Sequence, residues 1–575
     1  MPNKKLAEMF EEIADMLDLE PENRFFEVRA YRKAALTLET MQEDIEDIFK
    51  KGGVDALTEL PGIGKGIAAS IKEFVETGKM RKYIDLKKRY PVDFAAITKV
   101  QGMGARKAFK LYKAIGVKNL ADLKKAVEQH KIRDLEGFGQ TSEDAIRKGI
   151  EFLEKSGGRM LLGTALPVAE NIISQLKSSK LVEQAVIAGS ARRMRETVGD
   201  LDILVVSEDA SKVEEIITKM KEVERIIAKG PTKISVILKL GISCDFRIVE
   251  RDSFGAALQY FTGSKDHGVQ VRQIAVRKGY SLNEYQLSDS KGKKIVSRTE
   301  QEIYNMLGLD YVEPEMREAR GEVELAQSHK LPKLIELRDI RGDLQMHTTF
   351  SDGQNSIEEM GEKAISLGYE YIGLTDHSKS EYVAKGMDNK KFLGYLKKID
   401  KANDKFDGAI KILKSGEVDI LKDGSLDLSD RTLEEMDYRL CSIHTNLTMG
   451  KEEMTKRVIK AFDSGYVDIF AHPTDRLINK REPIPLDLDV VFDAAKRNKV
   501  IMEIDSFPDR LDLNDENVIR ARKAGLKFAI DTDAHQAKQM DVMRYGIGTA
   551  RRGWLTKEDV INTLPIDRLF KMFRK

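Results

Sequence analysis

The sequence predicts a multidomain chain of mixed class, α+β followed by α/β, and three observations predict it. The first 150 residues carry helix-period apolar spacing interrupted by glycine pairs. The middle third holds alternating strands, and the last 240 or so residues repeat a short apolar run that ends in His, Asp or Glu and is followed by a helical stretch.

A length of 575 residues, with 41% hydrophobic and 33% charged content, corresponds to roughly three or four domains with ample core-forming capacity. The two cysteines, Cys244 and Cys441, form no CxxC pattern, which argues against a disulfide framework or a cysteine zinc site. No apolar run approaches the roughly 18–20 residues that span a bilayer, and MPNKKLAEMFEEIADML is an amphipathic acidic helix. A cytoplasmic protein with no membrane partner is expected, and nothing demands more than a monomer. Net charge is only +1, yet residues 51–148 hold 21 basic and 12 acidic side chains. That excess suits a polyanion, although a solvated lysine-rich face is the commoner meaning.

The basic segment contains a loose repeat: LPGIGKGIAASI at 60–71, VQGMGARKAFKL at 100–111 and LEGFGQTSEDAI at 135–146. Two glycines one residue apart make a tight turn into a helix N-terminus, whose free N–H groups can hold a phosphate. Three copies read as helix-hairpin-helix turns that bind DNA backbone. Gly62, Gly64, Gly102 and Gly104 form the turns, and Lys65, Arg106 and Lys107 stand beside them for salt-sensitive phosphate contacts.

Further on, AVIAGSARRMRETVGDLDILVV reads as a strand, a Gly-Ser turn, a short basic helix and a second strand that opens with Asp200 and Asp202. Residues i and i+2 of a strand share a face, so the two carboxylates repel unless a cation lies between them. Gly189 and Ser190 open the short helix, a place suited to a triphosphate, with Arg192, Arg193 and Arg195 nearby. KISVILKLGISCDFRIV adds a strand that presents Asp245. An isolated DxD is more often a pair of exposed strand ends; three strand carboxylates after a Gly-Ser turn match a two-magnesium site for phosphoryl chemistry.

The last segment runs DLQMHTTFSDG, YIGLTDHS, IKILKSGEVDI, YRLCSIHT, DIFAHP, VIMEIDS and KFAIDTDAH. About seven strand–ligand–helix units predict a β/α barrel with its chemistry at the C-terminal strand ends. One histidine at a strand end is usually structural. Five of them, His347, His377, His444, His472 and His535, together with Asp352, Glu417 and Asp533, predict a polynuclear metal site.

These motifs together resemble the family X DNA polymerases. GSARRMRETVGDLDIL resembles the family palm motif, CDFRI the strand with the third catalytic aspartate, and YFTGSKDHGVQVRQIAVRKGYSLNEYQL the thumb. The segment from about 338 to 575 resembles the polymerase and histidinol phosphatase (PHP) domain. The resemblance implies helical DNA-binding modules at 1–90 and 91–155, a nucleotidyltransferase palm at 156–250, a thumb at 251–312, a charged linker at 313–337 and a PHP barrel at 338–575. It assigns Asp200, Asp202 and Asp245 to catalysis with Mg2+ or Mn2+. Gly189, Ser190, Arg193, Gly199, Tyr260, Phe261, Gly263 and Lys265 go to the nucleotide, and Arg272 to the template strand. In the barrel, His347, Asp352, His377, Glu417, His444, His472, Asp533 and His535 would hold a Mn2+ or Zn2+ cluster, Glu417 bridging two metals. The implied activities are gap-filling DNA synthesis from dNTPs on gapped or primer-template DNA, as in base excision repair, and 3′–5′ exonuclease.

Four departures stand against that pattern. Gly268 replaces a thumb asparagine, and Ser70 replaces the lysine that forms a Schiff base in 5′-deoxyribose-phosphate lyases, so little lyase activity of that kind is expected. Gln345 stands where the barrel family has the first histidine of a His-x-His motif, which weakens one metal position. Asp475 stands where the family has a small glycine, either crowding the loop or adding a carboxylate. A barrel kept only as a scaffold, a nucleotidyltransferase for RNA or small molecules, and a non-catalytic DNA-end binder are the alternatives.

Overall fold

Up to residue 156 every regular element is a helix among the residues that the computed structural model describes, which are 2–20, 24–40, 44–60, 62–98, 100, 103–156 and 158–573. The helix Lys65–Thr77 shows why. Ile67, Ala68, Ile71 and Phe74 recur at helical spacing on its buried face, Gly64 begins it, and Gly78 in the left-handed region ends it. That face joins a core with Leu6, Phe10, Tyr31, Phe94, Leu111 and Leu123, each large side chain contributing about 1.5–3 kcal/mol on burial. Phe10 and Tyr31 meet edge to face at 5.4 Å.

A five-stranded sheet follows, in the order Gln184–Ile187, Asp200–Val206, Ser243–Val249, Lys233–Leu238, Val223–Lys229. The last three pair antiparallel, with Ser235 opposite Asp245. The chain divides into two units, Met1–Met160 with Gln175–Ala185 and Ile203–Glu250, and Leu161–Ser174 with Val186–Asp202 and Arg251–Lys575.

Within the second unit, the helices Phe254–Thr262, Lys265–Arg277 and Glu300–Met306 share a core that does not stop at residue 312. Met316, Val323, Ala326 and Leu334 belong to it. Residues 313–337, expected to be a charged linker, are thus a folded continuation of the thumb region, and they contain the helix Glu322–Gln327. The charged sequence misleads because its charges are paired in place. Arg317, fully buried, donates to Glu300 at 2.5 Å and to the Val312 carbonyl at 2.9 Å, and buried Glu322 accepts from His267 at 2.7 Å.

The C-terminal segment is a barrel of seven parallel staves. Its strands lie in two hydrogen-bonded sets: Gly342–Asp343, Tyr371–Leu374 and Lys411–Lys414, then Glu417–Asp419, Leu440–Ser442, Ile469–Phe470, Ile501–Asp505 and Phe528–Asp531. Single parallel bridges, His377 to Glu417 and Met346 to Ala534, close the ring. Lys411–Lys414 and Glu417–Asp419 follow each other in one stave. Successive strand residues alternate between two cores. Ile372, Ile412, Cys441, Phe470 and Met502 pack outward with the helices, while Tyr371, Leu413, Leu440, Ile469 and Ile501 face inward with Leu569 and Phe573. Both cysteines are buried and unbridged.

Candidate active sites

Asp200 and Asp202 open their strand, the first exposed and the second half-buried. Gly189, at φ +62°, begins the short helix Gly189–Arg192. A Cβ there would lie 2.5 Å from Asp202 Oδ2, so only glycine lets this carboxylate sit against the turn. Ala188 N–H donates to the Asp202 carbonyl at 2.8 Å, fixing the turn to the strand. Ser190 lies in that helix, and Gly199 directly precedes Asp200. Asp245 sits on Ser243–Val249, where Ser235 Oγ donates to its Oδ1 at 2.6 Å and Lys233 Nζ pairs with its Oδ2 at 2.9 Å. Carboxylate oxygens of this kind are hard donors that suit a divalent cation.

The arginines after the turn are all engaged. Arg193 donates from Nη1 to the Thr262 carbonyl at 2.5 Å and from Nε to Glu318 at 3.1 Å. Arg192 holds Glu300 at 2.5 Å. Burial alone would raise the Glu300 carboxyl, but Arg317 and Arg192 hold it down to about 2. Gly263, at φ +67°, stands beside Arg193; a Cβ there would lie 3.1 Å from its Nη1. Tyr260 and Phe261 meet edge to face at 5.1 Å, and the Arg272 guanidinium lies 5.7 Å from the Tyr260 ring. Lys265 begins the next helix, which Ser264 caps and in which Gly268 is buried.

In the helical segment, Gly62 has φ +82°, and a Cβ on it would collide with the Lys33 side chain. Gly64 and Gly104 precede the helices Lys65–Thr77 and Ala105–Ile115. Gly102 lies outside the described residues. Lys65 and Lys107 are exposed, whereas Arg106 pairs with Asp18 at 3.1 and 3.2 Å. In the third copy Glu143, buried, accepts from the N–H groups of Ile132 and Arg133 at 3.1 Å each.

The barrel brings Glu417 and the seven other expected ligands to one end of its strands. Glu417 Oε1 lies 3.1 Å from His444 and 2.8 Å from His472; Oε2 lies 3.3 Å from His347 and 3.7 Å from His377. His347 Nε2 is also 3.0 Å from Asp533, and His535 is 3.3 Å from Asp352. Three ligand-atom clusters emerge: His347, Asp352, His377 and His535; His377, Glu417 and His444; His347, Glu417 and Asp533. Buried nitrogens of His347, His377 and His472 and Oε1 of Gln345 have no hydrogen-bond partner. Those atoms lack an aligned hydrogen bond although carboxylates lie close by, and this donor set fits divalent cations. His472 and Asp533 have φ of +26° and +50°, backbone strain of the kind found at functional sites.

Charge follows the same geometry. Burial opposes it, but His377 and His444 hold the Glu417 carboxyl well below the usual range. Against its own burial, His444 is lifted to about 10 by Glu417 and Asp419. Burial pushes His377 down to about 3. Asp352, despite burial, is held at about 2 by His535 and His347.

Sequence comparison adds the lineage. Family profiles match at residues 1–80 (helix-hairpin-helix domain), 94–151 (SAM-like helix-hairpin-helix tandem), 257–318 (DNA polymerase beta thumb) and 343–505 (PHP domain). The DNA polymerase/3′-5′ exonuclease PolX of Bacillus subtilis (strain 168) is 38% identical over 565 residues, 98% of this chain and 97% of its own. The chain belongs to the PolX group of family X DNA polymerases. A probable phosphatase of Thermoanaerobacter sp. (strain X514) is 28% identical over 38% of this chain and 90% of its own length. DNA polymerase lambda of Arabidopsis thaliana is 27% identical over 55% of this chain and 62% of its own.

In this PolX chain several residues around the metal end had no role from sequence. Asp376 accepts from Thr348 and Ser351 N–H, each at 3.0 Å, and so shapes the loop between His347 and Asp352. Asp419 lies 3.3 Å from His444 Nδ1, and Glu503 accepts from His472 N–H at 2.6 Å. A signal existed for Asp419, two residues beyond Glu417 on one strand. Among the described residues Asp475 belongs to none of the three ligand clusters. It has φ +45°, and its carboxylate takes Arg481 at 2.6 Å and Arg510 at 2.8 Å. Arg510 in turn reaches Asp505 at 3.6 Å and Asp533 at 4.0 Å. Gln345 Nε2 donates to Glu417 Oε2 at 3.2 Å.

Proposed function

We propose that this PolX-group protein is a DNA-directed DNA polymerase that fills short gaps in DNA, and that its barrel removes nucleotides from 3′ ends. The polymerase reading rests on the relationship along nearly the whole chain, with Gly189 cradling Asp202 as its local support. Asp200, Asp202 and Asp245 are the metal-holding carboxylates, served by Mg2+ or Mn2+. Gly189 and Ser190 lie under the triphosphate, Arg193 offers it charge, and Tyr260, Phe261 and Gly263 face the sugar. The helix-hairpin-helix turns hold the DNA backbone without reading sequence.

The hydrolytic reading rests on the convergence of seven other ligands near buried Glu417. His347, Asp352, His377, Glu417, His444, His472, Asp533 and His535 would hold Mn2+ or Zn2+. Cations bound there, as in the palm, supply Lewis-acid charge to the phosphoester and make water or a hydroxyl more acidic. The chain's own part is to fix that site. Glu417 ties four imidazoles together, Asp419 orients His444, and the hydrogen bond from His472 N–H to Glu503 secures the His472 loop. A second reading, a barrel that is only a scaffold, draws on Gln345, whose amide donates a hydrogen bond beside Glu417 where the related barrels carry an imidazole.

Two variants test both halves. Asp200→Ala should abolish templated nucleotide addition on gapped DNA while leaving manganese-dependent 3′ shortening. Adding His472→Ala should then remove that shortening. Templated addition by Asp200→Ala protein sinks the first reading; shortening that persists in the double variant, or none in the parent, sinks the second.

A further inference from the structure

Helix Met543–Arg552, on the outside of the barrel, packs against the turn that follows the Gly-Ser pair. A Cβ on Gly548 would lie 2.9 Å from Met194 Cβ, so the approach requires glycine. The helix ends in Arg552, whose side chain is only 4% exposed. Arg552 Nη1 donates to the Arg193 carbonyl at 2.9 Å and to Glu318 Oε1 at 2.8 Å, and its Nη2 to Asp515 at 2.7 Å. Glu318 is thereby shared by three guanidiniums, those of Arg552, Arg193 at 3.1 Å and Arg195 at 3.3 Å. A second link runs from Arg476, in the His472 loop, to Glu196 at 2.6 Å.

One carboxylate cannot neutralise three guanidiniums. Arg552 divides its charge between Asp515 and Glu318, and the share that reaches Glu318 leaves Arg193 positive potential for another anion. Without Arg552, the Glu318 charge falls on Arg193 and Arg195 alone, and the Arg193 carbonyl loses a buried donor.

We infer that Arg552, a residue of the barrel, is a positioning residue of the polymerase site, neutralising Glu318 so that Arg193 is left to bind the nucleotide triphosphate. The inference rests on the polymerase reading and extends it, because it makes the barrel part of nucleotide binding whatever hydrolysis the barrel performs. Arg552 touches no reacting atom; it acts through Glu318 and the Arg193 backbone.

The test is equilibrium binding of a fluorescent deoxynucleoside triphosphate to the full chain on a one-nucleotide gap with a dideoxy-ended primer and calcium, which requires no turnover. Arg552→Gln should weaken binding about tenfold, the equivalent of losing one well-placed charge interaction. Arg552→Lys should fall between. The decisive variant is Arg552→Gln with Glu318→Gln, which removes the charge that Arg552 offsets and should return affinity to within about threefold of the parent. A residue that merely held the fold together would leave the double variant as weak as the single or weaker, and thermal unfolding of each variant reports that damage separately. Unchanged affinity in Arg552→Gln, no recovery in the double variant, or no triphosphate binding by the parent overturns the inference. Binding by the parent with no templated addition sinks only the polymerase reading.

Discussion

The two metal-type centres of this chain are built in opposite ways. Around the Gly-Ser turn the carboxylates stand at a strand end, Asp200 exposed and Asp202 half-buried, and the nearby positive charge belongs to arginines tied to Glu300 and Glu318. In the barrel, Glu417 and His347 are buried and the positive charge comes from imidazoles packed on one another, with His347 stacked on His377 at 4.5 Å and on His535 at 4.3 Å. Carboxylates at a strand end that water still reaches suit cations that arrive with a substrate. A buried cluster of imidazoles and carboxylates is already desolvated, so cations would find its ligands preorganised before any substrate arrives.

The largest effects should break the comparison cleanly. Asp202→Ala should lower templated addition by about a thousandfold with little effect on 3′ shortening, and Glu417→Ala should do the reverse, since each removes charge stabilisation of several kcal/mol at its own centre. The two rates measured on both variants check this; a variant that loses both activities joins the centres. Glu417→Ala should also lower the metal content of purified protein, read by elemental analysis, whereas Asp202→Ala should not.

Gln345→His sharpens the contrast within the barrel. It replaces a neutral amide by an imidazole beside Glu417, and manganese affinity measured by calorimetry should rise about ten- to a hundredfold. No gain would mean that the Gln345 side chain does not face a cation.

Proton release comes next. In the metal-free protein His444 is lifted to about 10 by Glu417 and Asp419 against its burial, so it carries a proton at pH 7, which it must lose to ligate. Metal affinity should therefore rise with pH through neutrality, about tenfold per unit for each proton released. His377, pushed down to about 3 by burial, is already neutral and adds nothing to that slope. Calorimetry in buffers of different ionisation enthalpy counts the protons. The smallest effect belongs to Arg106→Ala. Its guanidinium is paired with Asp18 on the surface, so gapped-DNA binding should change by less than about 1 kcal/mol, against a larger loss for Lys65→Ala in a titration at two salt concentrations.

Much of the site was legible because the chemistry sits in short local patterns. A strand alternates its faces, so Asp200 and Asp202, or Glu417 and Asp419, share a side wherever that strand goes. Seven apolar runs ending in ligand residues imply a barrel because parallel strands buried on both faces need helices outside and place their loops at one end. Glycine positions were legible too, since Gly62 and Gly189 need positive φ that other residues rarely adopt.

What the sequence by itself determined was the kind of residue at each strand end and the periodicity that makes the strand or helix. Only the tertiary structure decided which charges meet. Residues 313–337 read as a charged linker until Arg317 is seen buried between Glu300 and the Val312 carbonyl. Asp475 read as either crowding its loop or adding a carboxylate until Arg481 and Arg510 are seen to claim it. The barrel's Arg552 gave no signal at all, because its partners Glu318 and Arg193 lie 234 and 359 residues away in the chain. A charge has no periodicity and acts over several ångströms in any direction, so its partner is set by how the elements pack.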